Sequence, residues 1–377
     1  MTPATAPVLA GSPDLVIIGG GIVGLWCARF AAEAGARVTL LDAGRIGQGA
    51  SGGTVGALMP HQPGPLAGKK ALQMAGLLGL PTLIEALEDE TGHKAGYGRV
   101  GRLVPIRSEA ERRRHAEWSA AADTHWPTGA RWTVTDENQW PGWLEAGAGA
   151  HGFSHDTLTA RVSPRAMTAL VAVRLAGRIE LKENTPVDAI GDDGRVTMQD
   201  GSHIDAGRIV VAAGIGSFRL AEPLTGRMAG MGVKGQSALF RPARKIPPDL
   251  PVIYHDGVYV IAHADGTIAV GSTSENRFDD PHSTDGLLDD QIETARAFCP
   301  MLRDATCVDR WAGVRPKHES RDPVTGPIGS SGRIVVASGG FKIGFAVAHL
   351  MAEEAVAHAL GTKGGPWRDV LAAPLMR

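Results

Sequence analysis

The chain has 377 residues, 43% of them hydrophobic, which is enough for two or three lobes with sizeable cores. Its formal net charge of −2, with the one dense basic run at 112–115 set among glutamates, disfavours a nucleic-acid-binding surface. The three cysteines suggest no disulfide framework, and residues 1–13 lack the pattern of a signal peptide. We therefore expect a cytoplasmic protein without a transmembrane segment.

The first predicted unit is a strand, a glycine turn, a helix and a second strand. Residues 15–18 and 37–41 are apolar runs, and the segment 22–34 between them is rich in alanine and leucine. Its turn carries Gly19, Gly21 and Gly24 at the spacing G-x-G-x-x-G, which permits a tight turn, close approach of a pyrophosphate and close helix–strand packing. Asp42 ends the second strand, where a carboxylate binds ribose hydroxyls. The unit predicts a dinucleotide site without a 2′-phosphate.

The next segments are predicted to be a small-residue stretch and two helices. Residues 43–65 are dense in glycine, which favours either a second cofactor contact or a surface loop. The pattern of 69–90 is helical but interrupted at Pro81. Ser108 with Glu111 three residues later forms a capping box and predicts the start of another helix.

Two patterns near the middle of the chain invite a functional interpretation. Four tryptophans lie between 126 and 143, and we expect them to be packing residues, with the wall of a substrate pocket as the alternative. The glycines of 147–152 repeat the spacing G-x-G-x-x-G, but no apolar strand precedes them and no strand with an acidic end follows. We therefore predict no second nucleotide site.

The remaining sequence is rich in predicted strands. Asp-Gly turns at 193–194 and 200–201 separate short strands that lead to a buried strand at 208–213. Residues 227–276 are again strand-rich, with a hairpin turn at 265–266, and 287–298 are helical. The C-terminal part reads as a buried strand, a glycine turn and a long helix. Strands followed by glycine turns, as in nucleotide-binding units, thus occur at the start, middle and end of the chain. They imply one cofactor domain assembled from separate segments, with the sequence inserted between them forming a second domain.

In order and spacing, these segments make the chain resemble the FAD-dependent D-amino acid oxidase superfamily, which includes glycine oxidase, sarcosine oxidase and D-amino acid dehydrogenase. The segments that carry the resemblance are DLVIIGGGIVGLWCA, GASGGTVGALMP, GRLVPIRSEAE, RIVVAAGIGS, VKGQSALF, VYVIAHADGTIAVGSTSE, WAGVRPKHESRDPVTGPIG and VASGGFKIGFAVAHLMAE. The expected α/β fold is a Rossmann-like FAD-binding domain of the glutathione-reductase type, assembled from discontinuous segments, plus a substrate domain with a mixed or antiparallel sheet. The predicted FAD-binding segments are 1–90, 150–225 and 310–377, and the predicted substrate-domain segments are 91–149 and 226–309.

The resemblance implies an extended FAD site. The AMP half binds at the first unit, 50–58 runs beside the isoalloxazine, and 339–344 approaches its pyrimidine edge. Sarcosine oxidases carry a cysteine that is covalently linked to the flavin near the region of Arg315. No cysteine follows Cys307 in this chain, so non-covalent FAD is expected. The cofactor contacts predicted by motif and resemblance are Gly19, Gly21, Ile22, Val23, Gly24, Asp42, Ala43, Ala50, Ser51, Gly52, Val55, Gly56, Ala57, Leu58, Val187, Ala213, Gly214, Gly313, Arg315, Gly339, Gly340, Phe341, Lys342, Ile343 and Gly344.

Five residues are candidates for contact with a substrate. Arg315 matches the position of a substrate-carboxylate arginine in glycine oxidases, with a structural ion pair as the alternative. Lys342, in GFK, follows the sarcosine oxidase pattern instead, so the chain mixes two patterns. Tyr254 and Tyr259 are predicted to bind a carboxylate or to pack in the sheet, and His61 to reach the flavin or the substrate. We predict no metal site, since His151 and His155 lack a third ligand.

The resemblance favours oxidation of a small amino acid or N-alkylated amino acid by hydride transfer to flavin N5, which gives an imine that water hydrolyses. The electron acceptor is oxygen or an electron carrier. Two alternatives stay open: a dehydrogenase of 2-hydroxy acids or glycerol phosphate, and an oxidase of the tRNA methylaminomethyl-uridine type.

Overall fold

The computed structural model describes residues 13–227 and 229–376. The signal-peptide prediction concerns residues 1–13, of which 1–12 lie outside the described residues. The helices are α1 (Ile22–Glu33), α2 (Gly68–Thr91), α3 (Glu109–His125), α4 (Pro164–Leu175), α5 (Gly216–Thr225), α6 (Gly286–Phe298), α7 (Gly344–Leu360) and α8 (Arg368–Ala372). The strands are β1 (Leu15–Ile18), β2 (Val38–Leu41), β3 (Ala57–Leu58), β4 (Arg102–Pro105), β5 (Trp132–Thr135), β6 (Phe153–Asp156), β7 (Ala160–Arg161), β8 (Glu180–Lys182), β9 (Val187–Ile190), β10 (Arg195–Met198), β11 (His203–Asp205), β12 (Arg208–Val211), β13 (Gly230–Arg241), β14 (Val252–His255), β15 (Val258–Ala262), β16 (Ile268–Gly271), β17 (Thr306–His318), β18 (Val324–Ile328) and β19 (Ile334–Ser338). None of these helices is long and apolar enough to cross a membrane.

A six-stranded sheet in the order β18-β19-β12-β1-β2-β8 unites segments from the start, middle and end of the chain. All its pairings are parallel except that of β18 with β19. Every residue of β1 is buried, since Leu15 and Ile17 face one apolar core and Val16 and Ile18 face another. A parallel strand covered on both faces needs this continuous apolar run. The predicted α/β fold is therefore confirmed.

Helices α1 and α7 pack together on one face of this sheet. The buried face of α7 is built largely from small residues, among them Ala348, Ala352 and Ala355. Small side chains allow two helix backbones to approach closely. This packing brings the N-terminal starts of the two helices to the same region of the molecule, beside the ends of β1 and β19.

The second large sheet has eight strands in the order β17-β13-β16-β15-β14-β4-β6-β5. Its pairings are antiparallel except that of β4 with β14. Smaller sheets, β11-β10-β9 and β3-β7, complete the strand pairing of the described residues. Helix α6 covers one face of the eight-stranded sheet through Leu288 and Ile292, which leaves the opposite face available to form a cavity wall.

The sheets divide the chain differently from the predicted domain segments at two places. Strand β6 and the whole of β17 belong to the eight-stranded sheet, although 150–225 and 310–377 were assigned to the cofactor domain. β17 pairs with β13 from Thr306 to His318, and a strand paired over its whole length cannot leave its sheet midway. The exact domain boundaries remain a proposal.

The sequence predicted that Pro81 interrupts its helix, and this prediction is wrong. Helix α2 runs unbroken from Gly68 to Thr91. A proline inside a helix leaves the carbonyl four residues earlier without its N–H donor. Here that carbonyl belongs to Leu77, and Arg99 Nη2 donates to it at 3.0 Å. A side chain distant in sequence therefore satisfies the group that Pro81 leaves free.

Several local predictions hold. Ser108 Oγ accepts from the N–H of Glu111 at 3.2 Å, as the capping box predicts. Strand β12, in contrast, ends at Val211 rather than at 213. The four tryptophans divide between two apolar clusters, with Trp126 and Trp132 in one and Trp140 and Trp143 in the other. They are packing residues, and none of them lines the large cavity described next.

Candidate active site

A cavity of about 1000 Å³ lies between the six-stranded sheet and the uncovered face of the eight-stranded sheet. The turn between β1 and α1, the segment 49–62, the turn between β12 and α5, and the turn between β19 and α7 form one side. The predicted residues in its wall are Gly19, Gly21, Ile22, Val23, Asp42, Ala43, Ala50, Ser51, Val55, Gly56, Ala57, Leu58, His61, Val187, Ala213, Gly214, Tyr254, Tyr259, Arg315, Gly340, Phe341, Lys342, Ile343 and Gly344. Sequence segments far apart in the chain thus meet around one space.

The predicted nucleotide end of the cavity depends on two close backbone contacts. Gly19 has φ +107°, and a Cβ there would lie 2.4 Å from the carbonyl oxygen of Ala212. A Cβ on Gly24 would lie 1.8 Å from the carbonyl oxygen of Gly19. Only glycine fits at either position, so the turn stays tight and the start of α1 faces the cavity. The N-terminus of a helix in such a place favours a phosphate.

Asp42 is fixed at the end of β2. Its Oδ2 accepts from the N–H of Gly20 at 2.7 Å, and its Oδ1 accepts from the N–H of Gly44 at 2.8 Å. Each carboxylate oxygen has a second lone pair with which to accept a further hydrogen bond. The side chain is therefore held in one orientation at the cavity wall and can still accept from ribose hydroxyls.

The segment 49–62 is anchored to the rest of the protein. Ser51 Oγ accepts from the N–H of Ile22 at 3.0 Å, which ties the segment to the first turn of α1. Thr54 Oγ1 donates to Ser237 Oγ at 2.8 Å, and Thr54 O lies 2.8 Å from His263 Nε2 in a buried hydrogen bond. The segment is thus a defined wall of the cavity and not a loose surface loop.

Four predicted cofactor contacts lie behind the wall instead of on it: Gly24, Gly52, Gly313 and Gly339. A Cβ on Gly313 would lie 2.3 Å from the ring of Trp311, and one on Gly52 would lie 3.4 Å from its Nε1. These two glycines make room for an indole. Gly24 serves the packing of α1, and a Cβ on Gly339 would approach Asp322 O to 3.0 Å.

A row of residues across the eight-stranded sheet faces the cavity. The strand registers place Tyr254 opposite Tyr259, Tyr259 opposite Gly271, Gly271 opposite Ser237, and Ser237 opposite Trp311. Directly opposed residues share a face of the sheet. The row therefore forms a floor from which two phenol hydroxyls rise.

The two tyrosines lie side by side, with ring centroids 4.7 Å apart. Burial, together with the neighbouring Tyr254, raises the pKa of Tyr259 to about 12. Its hydroxyl therefore stays protonated and can donate a hydrogen bond at any physiological pH. Both tyrosines pack in the sheet and also face the cavity, so the two predicted roles are not exclusive.

Arg315 reaches from β17 over β13 towards the end of β16. Its Nη1 donates to Ser272 Oγ at 3.1 Å, and its Nη2 donates to the carbonyl oxygens of Thr273 and Lys234. A Cβ on Gly235 would lie 2.0 Å from Nη2, so that glycine makes the passage possible. Arg315 forms no ion pair with a described carboxylate, which argues against the structural alternative.

The guanidinium of Arg315 has unused capacity. Its Nε is buried and has no hydrogen-bond partner among the described residues. Burial lowers the pKa of Arg315, and the charge of Glu275 acts in the opposite direction. Since arginine stays protonated in proteins, the site holds a partly desolvated cation.

Lys342 and His61 occupy other parts of the wall. Burial and the charges of Arg315 and Lys317 lower the pKa of the Lys342 amine. Burial and the charges of Lys69 and Lys70 lower the pKa of His61, whose Nε2 is buried and has no partner in the part of the chain that the structure describes. His61 is therefore neutral at pH 7, which suits a hydrogen-bonding role better than a charged one.

Sequence reasoning missed several polar or aromatic residues of the wall: Gln73, Arg102, Ser237, Ser272, Gln291 and Trp311. A signal for Trp311 was present, because it stands four residues before Arg315 in a strand and alternate residues share a face. Gln73 in a helix and Arg102 in a short strand carried no such signal. Their place at the cavity follows only from the packing of α2 and β4.

The residues of the cavity wall have the chemistry that binding of FAD requires. One end offers glycine backbone, a helix N-terminus and a carboxylate for an adenosine diphosphate moiety, and the other offers cations and hydroxyls for the reacting groups. None of Cys27, Cys299 and Cys307 lines the cavity, so no thiol is placed for a covalent link to the flavin. The described residues also contain no cluster of His, Cys, Asp or Glu suited to a metal ion.

Comparisons with known proteins agree with this interpretation of the cavity. Residues 14–357 match the DAO family, described as FAD dependent oxidoreductase. A glycine oxidase of Pseudomonas aeruginosa is 30% identical over 346 residues, covering 89% of this chain and 92% of that protein. A glycine oxidase of Bacillus licheniformis is 25% identical over 350 residues, covering 89% of each chain.

Solved structures show the same fold. The crystal structure of glycine oxidase from Geobacillus kaustophilus superposes with a TM-score of 0.83 at 22% identity, covering 94% of this chain and 96% of that one. The iminodiacetate oxidase of Chelativorans sp. BNC1 gives a TM-score of 0.84 at 22% identity, with 95% and 98% covered. At such identities the likeness concerns the fold alone.

Proposed function

Because the chain belongs to the DAO family of FAD-dependent oxidoreductases, we propose that it oxidises the carbon–nitrogen bond of a small amino acid or N-alkylated amino acid. The observation that carries this proposal is the position of Arg315. Its guanidinium is partly desolvated at the cavity wall, and among the described residues it is bound only to neutral acceptors and its Nε has no partner. The glycine oxidases at up to 30% identity support a small amino acid as the substrate class.

In this proposal Arg315 binds the substrate carboxylate. A guanidinium presents two parallel N–H donors to a carboxylate, which fixes both the position and the tilt of the adjoining carbon. The hydroxyl of Tyr259, protonated because of its raised pKa, donates a further hydrogen bond from the sheet. Together they hold the amine-bearing carbon in one orientation, and such positioning supplies a large share of the rate enhancement in hydride transfer.

The cationic wall also favours the reactive form of the amine. When bound, FAD would supply the hydride acceptor for this oxidation; the amine-bearing carbon would lose a hydride and the nitrogen a proton, which leaves an imine that water hydrolyses. Only an unprotonated nitrogen has the lone pair that this oxidation needs. Arg315 and Lys342 repel an ammonium group, and they thereby favour the neutral amine in the bound substrate.

The site residues and the domain division belong to the same proposal. We assign the adenosine end to Gly19, Gly21 and Asp42, and the reacting end to Arg315 and Lys342, on the geometry of the cavity wall. We assign the six-stranded sheet to the cofactor domain and the eight-stranded sheet, including β6 and β17, to the substrate domain. Oxygen or an electron carrier as acceptor, the cytoplasmic location and the absence of nucleic-acid binding stay predictions.

An anaerobic titration tests the proposed reaction. The purified protein is mixed without oxygen with D- and L-amino acids, N-methyl amino acids and 2-hydroxy acids, and the visible flavin spectrum is recorded. We expect an amino acid or N-alkylated amino acid to bleach the flavin band, and peroxide on re-aeration marks an oxidase. Bleaching by a hydroxy acid alone, or by none of these compounds, contradicts the proposal.

A further inference from the structure

Three cations surround one aromatic ring at the reacting end of the cavity. The Arg315 Cζ and the Lys317 Nζ each lie 5.9 Å from the ring centroid of Phe341, and the Lys342 Nζ lies 5.6 Å from it. Arg315, Phe341 and Lys342 line the cavity, whereas Lys317 lies just outside its lining. The three charges therefore converge at the cavity rim.

The backbone of Phe341 holds this arrangement. Its φ of +43° lies in the left-handed region, which bulky residues rarely adopt. Its N–H donates to the carbonyl oxygen of Pro316 at 3.1 Å, which fixes the turn against β17. Strained backbone of this kind persists where the surrounding structure imposes it, most often at functional sites.

In the described part of the chain, no carboxylate forms an ion pair with any of the three cations. Among the described residues, neither Lys317 nor Lys342 forms an ion pair, and Arg315 donates only to a hydroxyl and two carbonyls. The nearby Glu275 is engaged elsewhere, since its Oε1 accepts from Gln236 Nε2 at 3.0 Å. Unpaired like charges at close range repel each other, and the cation–π contacts with Phe341 offset only part of that cost.

A bound amino acid supplies only one carboxylate to this group. The third cation, Lys317, lies near Arg315 because the two residues stand two apart in β17. Alternate strand residues share a face, which here also carries Trp311. Arg315 is directed inward along that face, towards Ser272. Lys317, nearer the end of the strand, and Lys342 remain available for a second anionic group that extends from the cavity towards the rim.

We propose that the preferred substrate is an amine with two carboxylates, in which Arg315 binds the carboxylate next to the oxidised carbon and Lys317 with Lys342 binds the second. This inference rests on the proposed amine oxidation and narrows its substrate class. The chemistry is that of an N-carboxyalkyl amino acid. The oxidation itself is unchanged, because the second carboxylate takes no part in the loss of hydride and proton.

A matched pair of substrates tests the inference with the holoenzyme. Sarcosine and iminodiacetate differ only in that a carboxylate replaces one hydrogen of the N-methyl group. We expect kcat/KM to be at least about tenfold higher for iminodiacetate, as two charge-assisted contacts imply. The preference should shrink as salt is added, since the rim is open to solvent.

Variants of Lys317 locate the effect. Lys317→Met should reduce the iminodiacetate-to-sarcosine ratio of kcat/KM by roughly five- to tenfold, because one of the two rim cations is lost. Lys317→Arg, which keeps the charge, should retain most of the preference and shows that the site still folds. Lys363→Met removes an exposed lysine beyond α7 and should leave the ratio unchanged.

A binding measurement separates this inference from the proposed reaction. Propionate and succinate, which differ by one carboxylate, are titrated into the oxidised holoenzyme, and the shift of the flavin band gives their Kd values. Tighter binding of succinate, lost in Lys317→Met, supports the second anion site even where no amine is oxidised. The inference is overturned if propionate and succinate bind with equal affinity, or if Lys317→Met weakens the binding of both ligands equally. Amine oxidation is tested separately, by whether sarcosine bleaches the flavin.

Discussion

At the scale of single residues, Arg315 is held by its neighbours without being neutralised by them. Its partners are a hydroxyl and backbone carbonyls, and Gly235 leaves the space through which the side chain passes. An arginine in an ion pair has its charge satisfied within the protein. Here the charge is left to a ligand, which is why geometry favours binding over a structural role.

Arg315→Lys is expected to weaken substrate binding while FAD is retained. Lysine keeps the charge but has no planar fork for two parallel hydrogen bonds. Losing one hydrogen bond to a charged group amounts to about 1.5–3 kcal/mol, so kcat/KM should fall roughly 10- to 100-fold. Steady-state kinetics and the flavin content of the variant provide the check. An unchanged KM for the best amine substrate would remove Arg315 from the binding site.

Gly24→Ala is expected to lower both stability and FAD affinity. The new Cβ would lie 1.8 Å from the carbonyl oxygen of Gly19, so α1 must move away from the turn that faces the phosphates. Overpacking of this kind costs about 1–3 kcal/mol. FAD titration of the apoprotein and thermal unfolding measure the two effects. Gly286→Ala, whose Cβ meets nothing within 4 Å, is the matched control and should behave like the parent.

At the scale of elements, β13 and β17 form a long two-stranded ribbon, and one face of it contributes to the site. The ribbon also carries a network of charged side chains around the buried Lys234. Lys234 is 2% exposed, with its Nζ 3.6 Å from Asp285 and 3.9 Å from Glu275. Gln236 donates to both carboxylates, at 2.9 Å and 3.0 Å respectively. The network holds the backbone carbonyls of Lys234 and Thr273 to which Arg315 donates.

Glu275→Gln is expected to destabilise the protein and to disturb Arg315 indirectly. Removing one partner of a buried charge costs about 3–5 kcal/mol, reduced here to about 3 kcal/mol because Asp285 remains. Thermal unfolding of the holoenzyme should therefore shift down by several degrees, with a higher KM as a second readout. Glu145→Gln removes the partner of the exposed Arg303 and should change stability by less than about 1 kcal/mol. Equal effects of the two variants would show that the network is not important.

At the scale of the whole molecule, the two large sheets enclose the cavity, and helices α1, α2 and α7 support it from behind. The interface of these helices buries an ionisable group, His349, which is 3% exposed and whose ring nitrogens find no hydrogen-bond partner within the described residues. Its ring centroid lies 6.1 Å from that of Trp26 in α1. Burial lowers the pKa of His349 to about 4.

The protein should lose stability as the pH falls below about 6.5, in part through His349. Above that pH the imidazole is neutral in both states. Between pH 6.5 and about 4, the unfolded chain binds a proton that the folded protein excludes, so the free energy of unfolding falls by about 1.4 kcal/mol per pH unit. Below about pH 4 both states are protonated and this contribution levels off.

His349→Leu should reduce that acid-side loss. Denaturant unfolding of both proteins at pH 5 and pH 7 gives the difference, and we expect the variant to lose about 2 kcal/mol less than the parent across this range. Between pH 7.5 and 8.5 the two curves should run parallel, since the imidazole is neutral in both states there. Identical losses between pH 7 and 5 would contradict a depressed pKa for His349.

The predictable part of the site and the missed part differ in physical kind. Gly19, Gly24 and Asp42 were found because a turn, a close packing contact and a strand end impose residue types at short, fixed spacing. Arg102 was missed because its place at the cavity follows only from the packing of β4. Lys317 was missed although it stands two residues after Arg315 in the same strand. The prediction that Pro81 interrupts α2 was wrong because the donor that replaces the missing N–H comes from Arg99, which lies outside the helix.

The sequence by itself determined the α/β class and the first nucleotide-binding unit, because these follow from local spacing and from the pattern of buried strands. The FAD dependence followed from the resemblance of the chain to a known family. Tertiary structure alone decided that β17 joins the eight-stranded sheet over its full length, and which of the cations meet around Phe341. Strand partners and side-chain encounters across a cavity depend on contacts between residues far apart in the chain. No short stretch of sequence encodes such contacts, so only the folded protein brings the three charges together.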